Sequence, residues 1–223
     1  MAEPIRKKMD MTKLDESYRL KLEWIKEQCA GGEFDEMDQE NFEGTDLRSA
    51  KAFAEMCRSK EEIKDNCKSF LKTFKIKGED KELGMITQGP IKAIGLCPHH
   101  LLPVEMTVYV SYLPSNKEDA KVLGLSKLTR LAQEISKYPM LQESYAKNLA
   151  DVLYKGNDWL EGVNSLGCAV QVIGSHGCMK CRGVRSDSLT STVETRGTYK
   201  DDREMEDRFY QQVQAIERRS HGF

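Results

Sequence analysis

The chain has 223 residues, of which 39% are hydrophobic and 31% charged, with a formal net charge of −2. That length suits one generous domain, or one domain with an appended helical region, and the near-neutral balance removes the global basic field that would mark nucleic acid as a partner. No apolar run approaches the roughly 18 residues of a membrane span, and the opening stretch MAEPIRKKMDMTKLDESYRL lacks the apolar segment of a secretory signal, so a cytoplasmic protein with no membrane partner is expected.

Residues 10–30 are expected to form a helix, because Leu14, Tyr18, Leu22 and Ile25 fall near helical spacing with charge between them. The acidic, glycine-bearing stretch GGEFDEMDQENFEGTD that follows, Gly31 to Asp46, reads as an exposed linker, which divides an N-terminal region (residues 1–45) from a main domain (residues 46–223). A second helical region is expected from about Leu47 to Lys72, with Thr45 or Asp46 as its cap. The texture then turns to strand. MITQGPIKAIGL carries a bend or bulge at Gly89-Pro90. In VEMTVYVSYLP, Val104, Met106, Val108 and Val110 face one way, and Glu105, Thr107, Tyr109 and Ser111 the other, as in a half-buried strand. The polar SNKEDAK stretch reads as a turn. Ser126 is expected to cap an amphipathic helix bearing Leu128, Leu131, Ala132 and Ile135, and Pro139 to open a second with the stripe Leu141, Tyr145, Leu149 and Leu153. LGCAVQVIG and SLTSTVETRGTY read as further strands, and the charged tail as helix. Strand pairs alternating with helix pairs predict an α+β domain with an antiparallel sheet.

Seven cysteines, an odd count without an export signal, point to reduced thiols rather than a disulfide framework. Cys29, Cys57, Cys67 and Cys168 each stand alone among helix- or strand-like residues and read as small buried hydrophobes. The others sit beside histidines, of which the chain has only four. GLCPHHLLP holds Cys97, His99 and His100; SHGCMKCRGVR holds His176, Cys178 and Cys181. Cys97 with His100, and Cys178 with Cys181, have spacings that let both members of a pair reach one metal ion, and zinc suits a thiolate–imidazole set. Cys97, His100, Cys178 and Cys181 could close a structural site. Alternatively three of these side chains bind and a fourth position is left for water, which would give His99 and His176 a use as proton carriers. A redox C-x-x-C at Cys178 and Cys181 would leave the first cluster unexplained. Ser126, Lys127 and Arg130 fall at a helix start, and Arg182 and Arg185 follow the second cluster, which together suggest a phosphorylated substrate. The chain contains no G-x-x-x-x-G-K-[ST] loop.

CPHHLLP, GLSKLTR, LQES, SHGCMKCRGV and TSTVETRGTY, in this order, resemble the GTP cyclohydrolase I family over roughly Met85 to Tyr199, with a weaker match at TDLRSAK. The resemblance implies a tunnelling fold (T-fold) of antiparallel strands and paired helices, preceded by the N-terminal helical region. It implies Zn2+ held by Cys97, His100 and Cys178, and acid/base work by His99 and His176. Gln142 and Glu143 would hold the guanine edge, and Ser126, Lys127, Arg130 and Arg182 the triphosphate, with Arg48 and Lys51 adding to it from a neighbouring subunit. The implied reaction takes GTP and water to 7,8-dihydroneopterin triphosphate and formate, the first step of pterin/folate-type biosynthesis, in a homo-oligomer built as a decamer of two pentamers. Two other readings share the fold: a zinc-stabilised purine- or pterin-binding protein without turnover, and a sister enzyme acting on a 7-deazapurine. The sequence departs from the family pattern at Pro98, where Glu is common, at Asp46, where Pro is usual, and at Tyr145, where Leu is usual.

Overall fold

The computed structural model describes residues 10–75, 84–115 and 121–220. They fall into two compact units, one within residues 6–58 and one within residues 59–223.

The smaller unit is helical, with α1 (Thr12–Cys29), α2 (Glu36–Phe42) and α3 (Thr45–Glu55). The first of these is the expected N-terminal helix. The acidic stretch expected as a linker contains α2, because Asp35 caps it by accepting from the Asp38 N–H, and Phe34 and Phe42 stack with centroids 4.6 Å apart. The helical region expected over about Leu47–Lys72 holds two helices, α3 and α4 (Lys60–Phe70). Ser59 accounts for the restart at α4: its hydroxyl accepts from the Glu62 N–H while the Glu62 carboxylate accepts from the Ser59 N–H, a reciprocal capping box.

In the larger unit, β1 (Thr73–Lys75) pairs with β4 (Lys121–Leu123) in a short antiparallel ribbon. The main sheet is antiparallel and runs β2 (Ile86–Leu96), β3 (Pro103–Leu113), β5 (Gly167–His176), β6 (Leu189–Gly197). Its register shifts between Gln88 and Ile91, the bulge expected at Gly89-Pro90; a side chain at Gly89 would stand 2.3 Å from the Tyr109 ring. The turn expected over SNKEDAK lies largely outside the described residues.

One sheet face packs against α5 (Leu125–Ile135) and α6 (Gln142–Leu153), and α4 packs on α5, enclosing Ile63, Val108, Leu131, Tyr145, Leu149 and Val172 among others in the main core. The opposite face carries α8 (Thr198–Asp201) and α9 (Arg203–Ser220), which bury Tyr109, Ala169, Tyr199, Phe209 and Val213. The strand expected to be half-buried is therefore covered on both faces over its second half: Val108, Tyr109, Val110 and Ser111 are all 3% exposed or less. Ser111 is satisfied there through bonds of 2.8 Å to both Thr87 and Tyr199.

Three helix starts differ from expectation. Gly44, in the left-handed region at φ 65°, is the N-cap of α3, and neither Thr45 nor Asp46 caps it. Gly124, not Ser126, is the N-cap of α5, and no side chain caps it; Ser126 is the second helical residue. A Cβ at Gly124 would sit 3.1 Å from the Phe74 ring, which explains the glycine. Pro139 does not open α6, whose N-cap is the extended Leu141; the segment before the helix instead lays Tyr138, Met140 and Leu141 along a cavity wall.

Candidate metal centre and active site

The tight turn joining β2 to β3 carries Cys97, His99 and His100. It is held by the Leu101 N–H bonding to the Cys97 carbonyl at 2.8 Å and the Cys97 N–H to the Leu102 carbonyl at 2.9 Å, with Leu101 in the left-handed region at φ 53°. The β3–β5 register pairs Val104 with His176, so the end of β5 arrives beside this turn. The chain then makes one helical turn, α7 (Gly177–Lys180), which presents Cys178. Gly177 permits the approach, since a Cβ there would lie 2.8 Å from the Pro103 carbonyl oxygen.

The result is a three-member donor set: one ligand atom each from Cys97, His100 and Cys178, all within 4.8 Å of one another. Cys97 Sγ lies 3.7 Å from His100 Nδ1 and 4.0 Å from His99 Nδ1. Tetrahedral bonds of about 2.3 Å to sulfur and 2.0 Å to nitrogen put neighbouring ligands roughly 3.5–3.8 Å apart, so the donor set fits a zinc-sized ion. Cys97 is buried, Cys178 half-buried and His100 exposed. Burial pushes the Cys178 thiol up, the Cys97 thiol beside it adds to this, and the Arg182 guanidinium pulls the other way. Cys181 is exposed and outside the set, so among the described residues the closed four-ligand arrangement is not formed.

A cavity of about 240 Å³ opens beside these donors, lined by Cys97, His99, His100, Gln142, Glu143, His176 and Cys178. Leu96, Val104, Met106, Met140, Leu141 and Met179 supply its apolar wall. Gln142 and Glu143 open α6, which packs on β5 and β6; the Gln142 side chain points inward and Glu143 is exposed in the first turn. His176 Nε2 bonds to Gln142 Oε1 at 2.9 Å, and Arg182 bonds to His100 Nε2.

Seven of the sequence-selected residues thus meet around one cavity, with Arg182 adjoining. Ser126, Lys127 and Arg130 lie in the first turns of α5 and do not line the cavity; the Phe70 ring lies under the Lys127 ammonium at 5.9 Å and the Arg130 guanidinium at 5.7 Å. Arg48 and Lys51 belong to α3 of the smaller unit, where Arg48 donates to the Glu43 carbonyl at 2.6 Å and to Thr45 Oγ1 at 2.9 Å. Sequence reasoning missed Ser136, Tyr138, Met140 and Thr190 in the wall, and Thr192 behind it. The two threonines leave a trace in the sequence, standing two apart and hence on one face of a strand.

An antiparallel sheet backed by paired helices, with a two-thiol, one-imidazole donor set beside a histidine-lined cavity, defines a T-fold protein with a candidate metal centre. Residues 31–214 match the family model described as GTP cyclohydrolase I. The chain is 37% identical over 167 residues to GTP cyclohydrolase 1 of Streptococcus pyogenes serotype M49 (strain NZ131), covering 74% of this chain and 78% of that protein. It is 34% identical over 173 residues to GTP cyclohydrolase 1 of Clostridium acetobutylicum, covering 75% and 83%. A crystal structure of the archaeosine synthase QueF-Like in the apo form matches at 16% identity and a TM-score of 0.38, covering 51% of this chain and 92% of that one. The chain belongs to the GTP cyclohydrolase I family of enzymes.

Proposed function

We propose that this enzyme converts GTP and water to 7,8-dihydroneopterin triphosphate and formate, the first step of pterin- and folate-type biosynthesis, with Zn2+ as its resident metal, and that residues 46–223 form the catalytic domain. The observation that carries this is the donor set of Cys97, His100 and Cys178, within 4.8 Å of one another and beside a cavity that His99, His176 and Glu143 also line. Cys97, His100 and Cys178 would hold the ion, and zinc there would supply Lewis-acid activation of water near neutral pH.

The chain's own groups do the rest. His176 meets the purine and hands a proton to its imidazole ring, and His99 moves protons in the later steps; each such transfer typically contributes about 10²–10⁴-fold. The Glu143 carboxylate accepts from guanine N1–H and the exocyclic amine, both donors. Ser126, Lys127, Arg130 and Arg182 take the triphosphate, helped by the start of α5, which no side chain caps. Arg48 and Lys51 add to it from a neighbouring subunit. In one chain Ser126, Lys127 and Arg130 lie outside the cavity lining, which favours a site completed by a second copy, in a homo-oligomer built as a decamer of two pentamers.

The test is an assay of zinc-loaded protein with GTP. The expected result is one formate released per pterin formed, abolished by a chelator and restored by zinc. Binding of GTP or a pterin with neither formate nor pterin produced would make this a binding protein of the same fold and overturn the proposal.

A further inference from the structure

The Gln142 carboxamide spends both of its N–H hydrogens within the protein and has no donor left to offer a guanine edge. Its side chain is buried at 5% exposure. The two Nε2 hydrogens are shared among the Val172 carbonyl at 3.1 Å, the Thr190 carbonyl at 2.9 Å and Thr192 Oγ1 at 3.0 Å. Two of these three are backbone carbonyls, which only accept, so the NH₂ end of the carboxamide must face them and the amide cannot be turned round. That fixes the other end: Oε1 faces His176 Nε2 at 2.9 Å.

The backbone keeps a slot for this contact. A Cβ on Gly174 would stand 2.0 Å from Gln142 Oε1 and 3.3 Å from His176 Nε2, so only glycine at that point of β5 leaves room for both groups. An amide oxygen can only accept. The neutral imidazole therefore carries its hydrogen on Nε2, and Nδ1 is the nitrogen left for a substrate in the cavity that the ring lines.

We propose that Gln142 is a positioning residue, clamped by Val172, Thr190 and Thr192, that keeps the His176 Nε2–H on its amide oxygen and so leaves Nδ1 as the atom that carries, in the imidazolium form, the proton handed to the purine. This rests on the reading that His176 acts on GTP, and it assigns guanine recognition to Glu143 without Gln142.

Two measurements test it. Solid-state ¹⁵N NMR of the full-length histidine-labelled protein, with His176→Asn assigning the signal, reads the tautomer without any turnover. A single Nε2–H form is expected in the wild type and a mixture of tautomers in Gln142→Met. His176 carrying its hydrogen on Nδ1, or an unchanged signal in the variant, would overturn the clamp. Kinetics on zinc-loaded protein supply the second readout. Gln142→Met should lower kcat about 10–100-fold, the scale of a misplaced reacting group, with KM for GTP moved less than about threefold. Thr192→Val removes one anchor from an otherwise intact carboxamide and should lower kcat in the same direction at constant KM. A rise of about tenfold or more in KM at wild-type kcat for Gln142→Met, or wild-type kcat and tautomer in Thr192→Val, would count against the proposal. Should the protein release no formate from GTP at all, the proposed function fails while the NMR result still decides the clamp.

Discussion

Cys97, His100 and Cys178 bring donor atoms together, whereas Cys181, only three residues beyond Cys178, is exposed and outside the set. Position on α7 explains the difference: Cys178 is the second residue of this single turn, and Cys181 is its C-cap. Cys178→Ser is expected to weaken zinc binding by more than the 10–100-fold typical of losing a group that merely supports a ligand, and Cys181→Ser to leave zinc content and formate release within about twofold. Metal analysis after gel filtration, with the formate assay, checks both. The short spacings Cys97–His100 and Cys178–Cys181 made a metal centre legible in the sequence, because ligands three apart can converge without knowledge of the fold. Which cysteine of the second pair turns inward depends on where β5 ends, and residue spacing does not carry that. The Gln142–His176 contact was equally invisible, since it joins residues 34 apart and is anchored on β5 and β6.

At the scale of elements, the helices pack through contacts that reach beyond apolar stripes. The Tyr145 hydroxyl on α6 donates to the Ala132 carbonyl on α5 at 2.8 Å, which gives this buried tyrosine a polar use. Tyr145→Phe is expected to cost about 1 kcal/mol, read as a lower midpoint in urea with an unchanged m-value. An unchanged midpoint would remove that bond from the account of how α5 and α6 are held. The restart of the chain at α4 was legible after all: Ser59 followed three residues later by Glu62 is the capping-box pattern, overlooked inside a long charged helical stretch. The ribbon of β1 and β4 was not, because strands of three residues are too short to show alternation. The acidic stretch concealed α2 because its signal is a single capping aspartate, Asp35, rather than an apolar face.

For the whole molecule, burial of Cys67 and Cys168 is expected to lower stability at alkaline pH, whereas Cys29 is exposed and Cys57 half-buried rather than buried as their sequence setting suggests. Burial pushes Cys67 up to about 12, with the Glu134 carboxylate adding to the effect. It also pushes Cys168 up to about 12, and this thiol bonds the Ala150 carbonyl at 3.1 Å. In the unfolded chain a thiol loses its proton near pH 8.5, so the raised folded values contribute stability that is fully present below that pH. It is lost as pH rises from about 8.5 through 12, since there the unfolded state holds fewer protons than the folded one. Urea midpoints across that window should fall with rising pH, and should fall less steeply in a Cys67→Ala, Cys168→Ala variant; equal slopes would show that these thiols are not what limits alkaline stability. The antiparallel sheet backed by paired helices followed from the alternation of strand and helix patterns, whereas coverage of β3 on both faces did not, because α8 and α9 approach from the far end of the chain. The account as a whole stands on a metal gripped by three side chains and open on its fourth side. X-ray absorption at the zinc edge of the reconstituted enzyme tests that most directly. Two sulfur scatterers at about 2.3 Å and two nitrogen or oxygen scatterers at about 2.0 Å are predicted, and a third sulfur in that shell would contradict it.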